Sequence, residues 1–89
     1  MKVVINVCYG GFGLTDWAKE RLGVDWSDEI DRNDADLVDL VENYPDMVED
    51  RFSTFRVVNL PDETTDWEIS EYDGMETITY VVNGKLFHQ

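Results

Sequence analysis

The hydrophobic residues of this chain occur in short runs that are separated by glycine, proline and clusters of acidic residues. The first run, residues 2–9, is mostly apolar and β-branched and is broken by Gly10-Gly11-Phe12-Gly13. A continuous apolar run of this length is typical of a strand that is buried on both faces. We therefore expect it to lie in the centre of a sheet.

The second half of the chain is rich in strand signals. β-branched and aromatic residues run between turn residues in three segments: residues 54–60, 66–72 and 76–82. Asp73-Gly74 predicts a turn between the last two of them. Asn83-Gly84 is a hairpin signal and predicts a short final strand at residues 85–87.

A short helix is predicted after the glycine-rich segment. Thr15 or Asp16 can cap its first turn, and the helix continues to Leu22. Gly23 then occupies the position at which a left-handed C-terminal cap is expected.

A second helix begins after Asn33 or Asp34, either of which can cap it. Its apolar residues follow the spacing of a core-facing stripe: Leu37, Leu40, Val41, Tyr44 and Val48. Pro45 interrupts this stripe, because proline lacks a backbone donor and clashes with the carbonyl four residues earlier. The helix should therefore kink there, or a new short helix should begin at Asp46.

Together these segments predict a single α+β domain over residues 1–89 in the order β-α-α-β-β-β. We expect a mostly antiparallel sheet of about four strands with two or three short helices on one face. The chain is 43% hydrophobic and 12% aromatic, which is too apolar for a disordered acidic tail. No run approaches the ~20 apolar residues that cross a bilayer, and the N-terminal run does not match a signal peptide. The single cysteine, Cys8, suits a reducing compartment. These features predict an intracellular protein.

The charge is the most unusual property of the chain. Twenty Asp and Glu residues against seven Lys and Arg residues give a net charge of −13, whereas a magnitude of about 2–8 is enough to keep a small domain soluble. Such a field disfavours nucleic acid and anionic membranes as direct ligands and favours the basic grooves of nucleic-acid-binding proteins. The alternative interpretation is an adaptation to solubility or to high salt.

The acidic residues are grouped rather than dispersed. Residues 25–50 hold 11 acids with Arg32 as the only base, and residues 62–76 hold seven acids and no base. On the second helix, a rotation of about 100° per residue places the acids opposite the apolar stripe. We expect seven of these residues to contact a partner, in the manner of a DNA mimic: Asp36, Asp39, Glu42, Asp46, Glu49, Glu68 and Glu71. The alternative is a merely solvated acidic face.

Motifs for catalysis or for cofactor binding are absent from the sequence. The acids of residues 28–36 do not have the spacing of a calcium-binding EF-hand, and the glycine run has neither Gly-x-Gly-x-x-Gly nor the lysine of a P-loop. We therefore expect no enzymatic activity, no cofactor and no metal site. The aromatic residues offer an alternative interface, unless all of them are core: Trp17, Trp26, Trp67 and Tyr72.

Two segments resemble a family of small uncharacterised phage and prophage proteins. The first is Val3-Val4-Ile5-Asn6-Val7-Cys8-Tyr9-Gly10-Gly11-Phe12-Gly13-Leu14, and the second is Asn59-Leu60-Pro61-Asp62 with Trp67-Glu68-Ile69-Ser70-Glu71-Tyr72-Asp73-Gly74. The resemblance implies a phage protein in the host cytoplasm that inhibits a host defence nucleoprotein, as anti-CRISPR proteins do, with a Cas effector or a similar basic protein as partner. The alternative is a structural or regulatory phage protein that binds another protein through exposed aromatic residues. The resemblance carries no site residues with it.

Overall fold

The computed structural model describes residues 1–89 and arranges them in three layers. The middle layer is an antiparallel ribbon of two strands, β1 (Lys2–Asn6) and β2 (Phe55–Asn59). Helices lie on one face of this ribbon: α1 (Asp16–Leu22), a 3-10 turn (Ser27–Glu29), α2 (Ala35–Asn43) and α3 (Pro45–Val48). A three-stranded antiparallel sheet lies on the other face: β3 (Thr64–Tyr72), β4 (Met75–Val82) and β5 (Lys85–His88).

Alternation along the ribbon divides the buried side chains between two cores. Val4 and Phe55 pack against the helices, whereas Val3, Ile5 and Val58 pack against the three-stranded sheet. Full burial of an aliphatic side chain stabilises the fold by about 1.5–3 kcal/mol, so both faces of β1 contribute. The prediction that the first strand is buried on both faces is confirmed. The prediction that it lies in the centre of a sheet is wrong, because β1 ends at Asn6 and pairs with β2 alone.

The helix ends follow the predicted capping chemistry. The Thr15 side chain accepts a hydrogen bond from the Ala18 N–H at 3.3 Å, and Gly23 has the left-handed φ of 70° at the C-cap. The Asp34 carboxylate accepts from two backbone N–H groups in the first turn of α2, at 2.9 and 3.0 Å. α3 begins at Pro45 rather than Asp46, because the ring is favourable at the first helical position. None of the helices is long and apolar enough to cross a membrane.

Two tight turns connect the strands of the second sheet. Asp73 and Gly74 both have positive φ, 53° and 89°, and so do Asn83 and Gly84, 52° and 77°. These values are those of type I′ turns, whose twist matches that of the paired strands. Both predicted turns are therefore confirmed.

The α+β class is confirmed, but the strands are divided between a sheet of two and a sheet of three. The outer edge of β1 explains the division, because side chains and a loop occupy it instead of another strand. The Val4 N–H donates to the Arg32 carbonyl at 2.7 Å, and the Asn6 N–H donates to the Glu76 carboxylate at 2.7 Å. The three-stranded sheet therefore packs across the ribbon rather than extending it.

Candidate partner-binding surfaces

Most of the carboxylates have no cationic side chain close to them. Three ion pairs form within 4.0 Å, in which Lys2 pairs with Glu42, Lys19 with Asp16 and Arg32 with Glu76. They involve three of the 20 acids and leave 17 without such a partner. The negative charge is therefore largely uncompensated at the surface.

The solvent-facing side of α2 carries one group of the predicted contact residues. Asp36, Asp39 and Glu42 are exposed, while the opposite side of the helix is buried in the core. A helical rise of 1.5 Å per residue places successive carboxylates about 4.5 Å apart along the axis. Phosphates on one strand of duplex DNA follow one another at about 3.4 Å along its axis. The two spacings are of the same order.

Lys2 reduces the charge at one end of this helix. Its ammonium group lies 2.9 and 3.1 Å from the two carboxylate oxygens of Glu42. Glu42 stands in the last turn of α2, where the helix dipole disfavours a negative charge, so the lysine offsets that cost. Asp36 and Asp39 have no such cation, and Asp46 continues the exposed acids into α3.

Glu49 lies outside this exposed group. Its carboxylate accepts a hydrogen bond from the Phe55 N–H at 2.7 Å and is half-buried beside the first residue of β2. The reason is that α3 ends at Val48, so the helical period that aligned Glu49 with Asp36 does not extend to it. The side chain closes part of the free edge of the ribbon.

Glu68 and Glu71 belong to the other outer layer of the molecule. Glu68 faces solvent, because its neighbours Trp67 and Ile69 both point towards the inner core. Glu71 is also exposed and accepts a hydrogen bond from the Gly74 N–H in the adjacent turn. The seven predicted contact residues are therefore not one surface, since the helices and β3 lie on opposite sides of the ribbon.

A buried ion pair that was not predicted removes one positive charge from the surface of the helical side. The Arg32 guanidinium donates to both oxygens of Glu76, at 2.6 and 2.7 Å, and lies 3.6 Å from the ring centroid of Phe12. Glu76 is only 6% exposed. Arg32 is the only base within residues 25–50, and its guanidinium group is bound inside the molecule by Glu76. Apart from Glu42, which pairs with Lys2, the acids of residues 25–50 form no ion pair.

The sequence does contain a signal for this pair. Glu76 lies in phase with Ile78 and Tyr80 on β4, and strand alternation places all three on the inner face. An inward carboxylate requires a partner, and Arg32 is the isolated base in an acidic segment. The two observations together would have indicated the contact.

Asn6 is a second buried polar residue, with no exposed surface. Its side-chain amide donates to the carbonyl oxygens of Cys8 and Gly74, both at 2.7 Å, and accepts from the Thr54 N–H at 2.9 Å. One side chain thus joins the loop after β1, the loop before β2 and the β3–β4 turn. These three loops form one end of the molecule.

The aromatic residues singled out from the sequence divide into two groups. Trp17 and Trp67 are half-buried against the two cores, whereas Trp26 and Tyr72 are exposed by 69% and 81%. Tyr9 and Phe52, which the sequence did not single out, are exposed by 64% and 62%. Exposed aromatic rings are thus more numerous at the loop end than the sequence suggested.

The one concave feature is an open groove of about 440 Å³ between Met1, Lys2 and the first turns of α2. Its charged groups include Lys2 and Glu42, which already bind each other, and it holds no nucleophile. No group of three or more His, Cys, Asp or Glu side chains is arranged to hold a metal ion. The surfaces, rather than this groove, are the candidate sites.

Comparison with protein-family models, curated proteins and solved structures finds no significant match to this chain. The resemblance to phage proteins stays a prediction.

Proposed function

We propose that the protein is a non-enzymatic inhibitor that binds the basic groove of a nucleic-acid-binding protein and excludes nucleic acid from it. The observation that carries the proposal is the exposed carboxylate row of α2 and α3, in which only Glu42 has a cationic partner. Asp36, Asp39 and Asp46 are exposed and form no ion pair. Arg32 is committed to the buried Glu76.

The rigidity of the row supports this function. α2 is capped by Asp34 and is fixed to the core by four buried side chains, so the carboxylates keep their positions on the helix. A fixed array of charge binds a basic groove without the entropic cost of ordering a flexible acidic tail. Binding of this kind is mainly electrostatic and should weaken as added salt screens the charges.

The finer assignment follows from the resemblance noted in the sequence. A small acidic phage protein that occupies a nucleic-acid groove would act as an anti-CRISPR-like inhibitor, and its partner would be a Cas effector or a similar host protein. The charge argument requires only that the partner be basic and bind nucleic acid. The helical row is its proposed contact, with Glu68 on the outer face of β3 and Glu71 at the end of that strand as separate acidic positions on the sheet layer.

Two variants with the same net charge test the helical row. One is Asp36→Asn/Asp39→Asn/Asp46→Asn, and the matched control is Asp62→Asn/Glu63→Gln/Asp66→Asn, whose three residues are also exposed. Wild-type and variant proteins are used to capture partners from host lysate at about 0.1 M and 0.5 M salt. The captured protein is purified, and its binding to duplex DNA is then measured by fluorescence anisotropy in the presence of each chain.

The helical variant should lose most of the competition with DNA, and the control variant should retain it. Competition by the wild type should fall as salt rises. Equal loss in the two variants would show that net charge alone is responsible and would refute a defined contact. A captured partner that survives high salt and does not bind nucleic acid would instead support the aromatic-interface alternative, which the exposure of Trp26 and Tyr72 favours.

A further inference from the structure

Three loops converge at the end of the molecule where β1 finishes. The thiol of Cys8 lies 2.8 Å from the Phe52 carbonyl oxygen, and Asn6 binds the Gly74 carbonyl. A Cβ atom added to Gly74 would overlap the carbonyl oxygen of Tyr9, and one added to Gly10 would overlap that of Phe52. The backbones are therefore packed as closely as glycine allows.

Each of these loops presents one exposed aromatic ring. Tyr9 is 64% exposed, Phe52 62% and Tyr72 81%, so none of the three contributes a full side chain to the core. Tyr72 stands two residues before Gly74, at the end of β3. We call these three residues the loop platform. Exposed rings that are held on closely packed backbones resemble the aromatic anchors of protein interfaces, which bind with little loss of entropy.

The molecule's own arginines lie over aromatic rings in several places. Arg21 lies 3.9 Å from the ring centroid of Trp17. Arg51 lies 5.3 Å from the ring centroid of Phe52. With Arg32, three of the four arginines stack on an aromatic ring. Tyr9 and Tyr72 have no such cation.

The charge beside the platform favours a cation from outside. Asp73 follows Tyr72 directly, is exposed and forms no ion pair. A guanidinium group can stack on a ring and hydrogen-bond a carboxylate at the same time, because it is planar and carries five donors. An ammonium group is a compact, strongly hydrated point charge and does this less well.

We propose that the loop platform is an arginine-binding contact that takes guanidinium groups from the basic partner, with Asp73 balancing their charge. The proposal rests on the proposed function, because it specifies which partner side chains are bound and where. It adds a contact that is separate from the carboxylates of α2. It also predicts a preference between arginine and lysine, which a purely electrostatic surface does not have.

The test uses ¹⁵N-labelled protein and two synthetic peptides of equal length and charge, one of alternating arginine and glycine and the other of alternating lysine and glycine. Amide shifts in NMR spectra report where each peptide binds and how tightly. The variants are Tyr9→Ala/Phe52→Ala/Tyr72→Ala and, as a control, Leu86→Ala. Leu86 is also 62% exposed but lies on β5 opposite Val81, about 20 Å along β4 from the Asp73-Gly74 turn.

We expect the arginine peptide to shift the amides of the three loops and to bind about three- to tenfold more tightly than the lysine peptide. The triple variant should bind the two peptides equally, and Leu86→Ala should keep the preference. Asp36→Asn/Asp39→Asn should weaken both peptides while leaving their ratio unchanged. A folded spectrum of each variant confirms that the comparison concerns binding.

Equal affinity of the wild type for the two peptides, with shifts confined to α2, would refute arginine binding by the loop platform. The proposed binding of a basic partner by the α2 carboxylates would not be refuted by that result. Binding of neither peptide would overturn both proposals. Retention of the arginine preference by the triple variant would also refute the platform.

Discussion

Replacement of Arg32 by methionine tests the buried ion pair directly. Methionine keeps much of the length of the side chain and its contact with Phe12, but it removes the two hydrogen bonds to Glu76 at 2.6 and 2.7 Å. The Glu76 carboxylate, 6% exposed, would keep only the Asn6 N–H as a hydrogen-bond donor. The variant therefore leaves a buried negative charge without its counter-charge.

The expected cost is close to the lower end of the range for breaking such a pair, which is about 3–5 kcal/mol. The Arg32 side chain is 21% exposed, so water reaches the site in part, and the Asn6 N–H remains. We expect the free energy of unfolding to fall by about 3 kcal/mol. For a chain of this length the total is about 4–13 kcal/mol, so the loss is a large part of it.

Urea unfolding followed by tryptophan fluorescence and circular dichroism measures this loss. With a slope of about 1 kcal/mol per molar, the midpoint should fall by about 3 M. The double variant Arg32→Met/Glu76→Met should be more stable than Arg32→Met alone, because it removes the unpaired charge. A loss below about 1 kcal/mol for Arg32→Met, or a double variant as unstable as the sum of the singles, would refute the reasoning.

Two further results are expected. Gly74→Ala should lower the free energy of unfolding, measured by urea unfolding, by about 1–3 kcal/mol more than Gly84→Ala. Both glycines have positive φ, but only at Gly74 would the added Cβ meet backbone atoms, those of Tyr9. Equal losses would show that the loops are not closely packed. Raising sodium chloride from about 0.1 M to about 1 M should raise Tm in differential scanning calorimetry. The reason is that the screening length falls from about 10 Å to about 3 Å, which weakens the repulsion among the charges of a protein with a net charge of −13. An unchanged or lower Tm would contradict this.

Local signals in the sequence predicted most of the elements. The caps at Thr15, Gly23 and Asp34, and the turn residues at 73–74 and 83–84, act within a few residues of themselves, so their chemistry can be read without the fold. The break at Pro45 is of the same kind. Long-range relations were not visible in this way, and the division into two sheets depends on Arg32 and Glu76, which are 44 residues apart.

The candidate site was predicted only in part for the same reason. The helical wheel placed Asp36 and Asp39 correctly on the outer side of α2, since both lie within one regular helix. It could not place Glu49, because the chain leaves the helix after Val48. The loop platform was missed because Tyr9 and Phe52 lie in loops that have no period and meet only through tertiary contacts.

The position of the ribbon in the middle layer has a consequence for synthesis. Val3 pairs with Val58, 55 residues later, so β1 leaves the ribosome well before its partner strand exists. At about 5–20 residues per second the interval is about 3–11 s. The helices can cover the Val4 side of β1 during this time, but Val3 and Ile5 remain uncovered until β2 and β4 follow. The 11 acids of residues 25–50 emerge within the same interval, so the uncovered face of β1 is followed by a strongly charged segment before its partner strands are made.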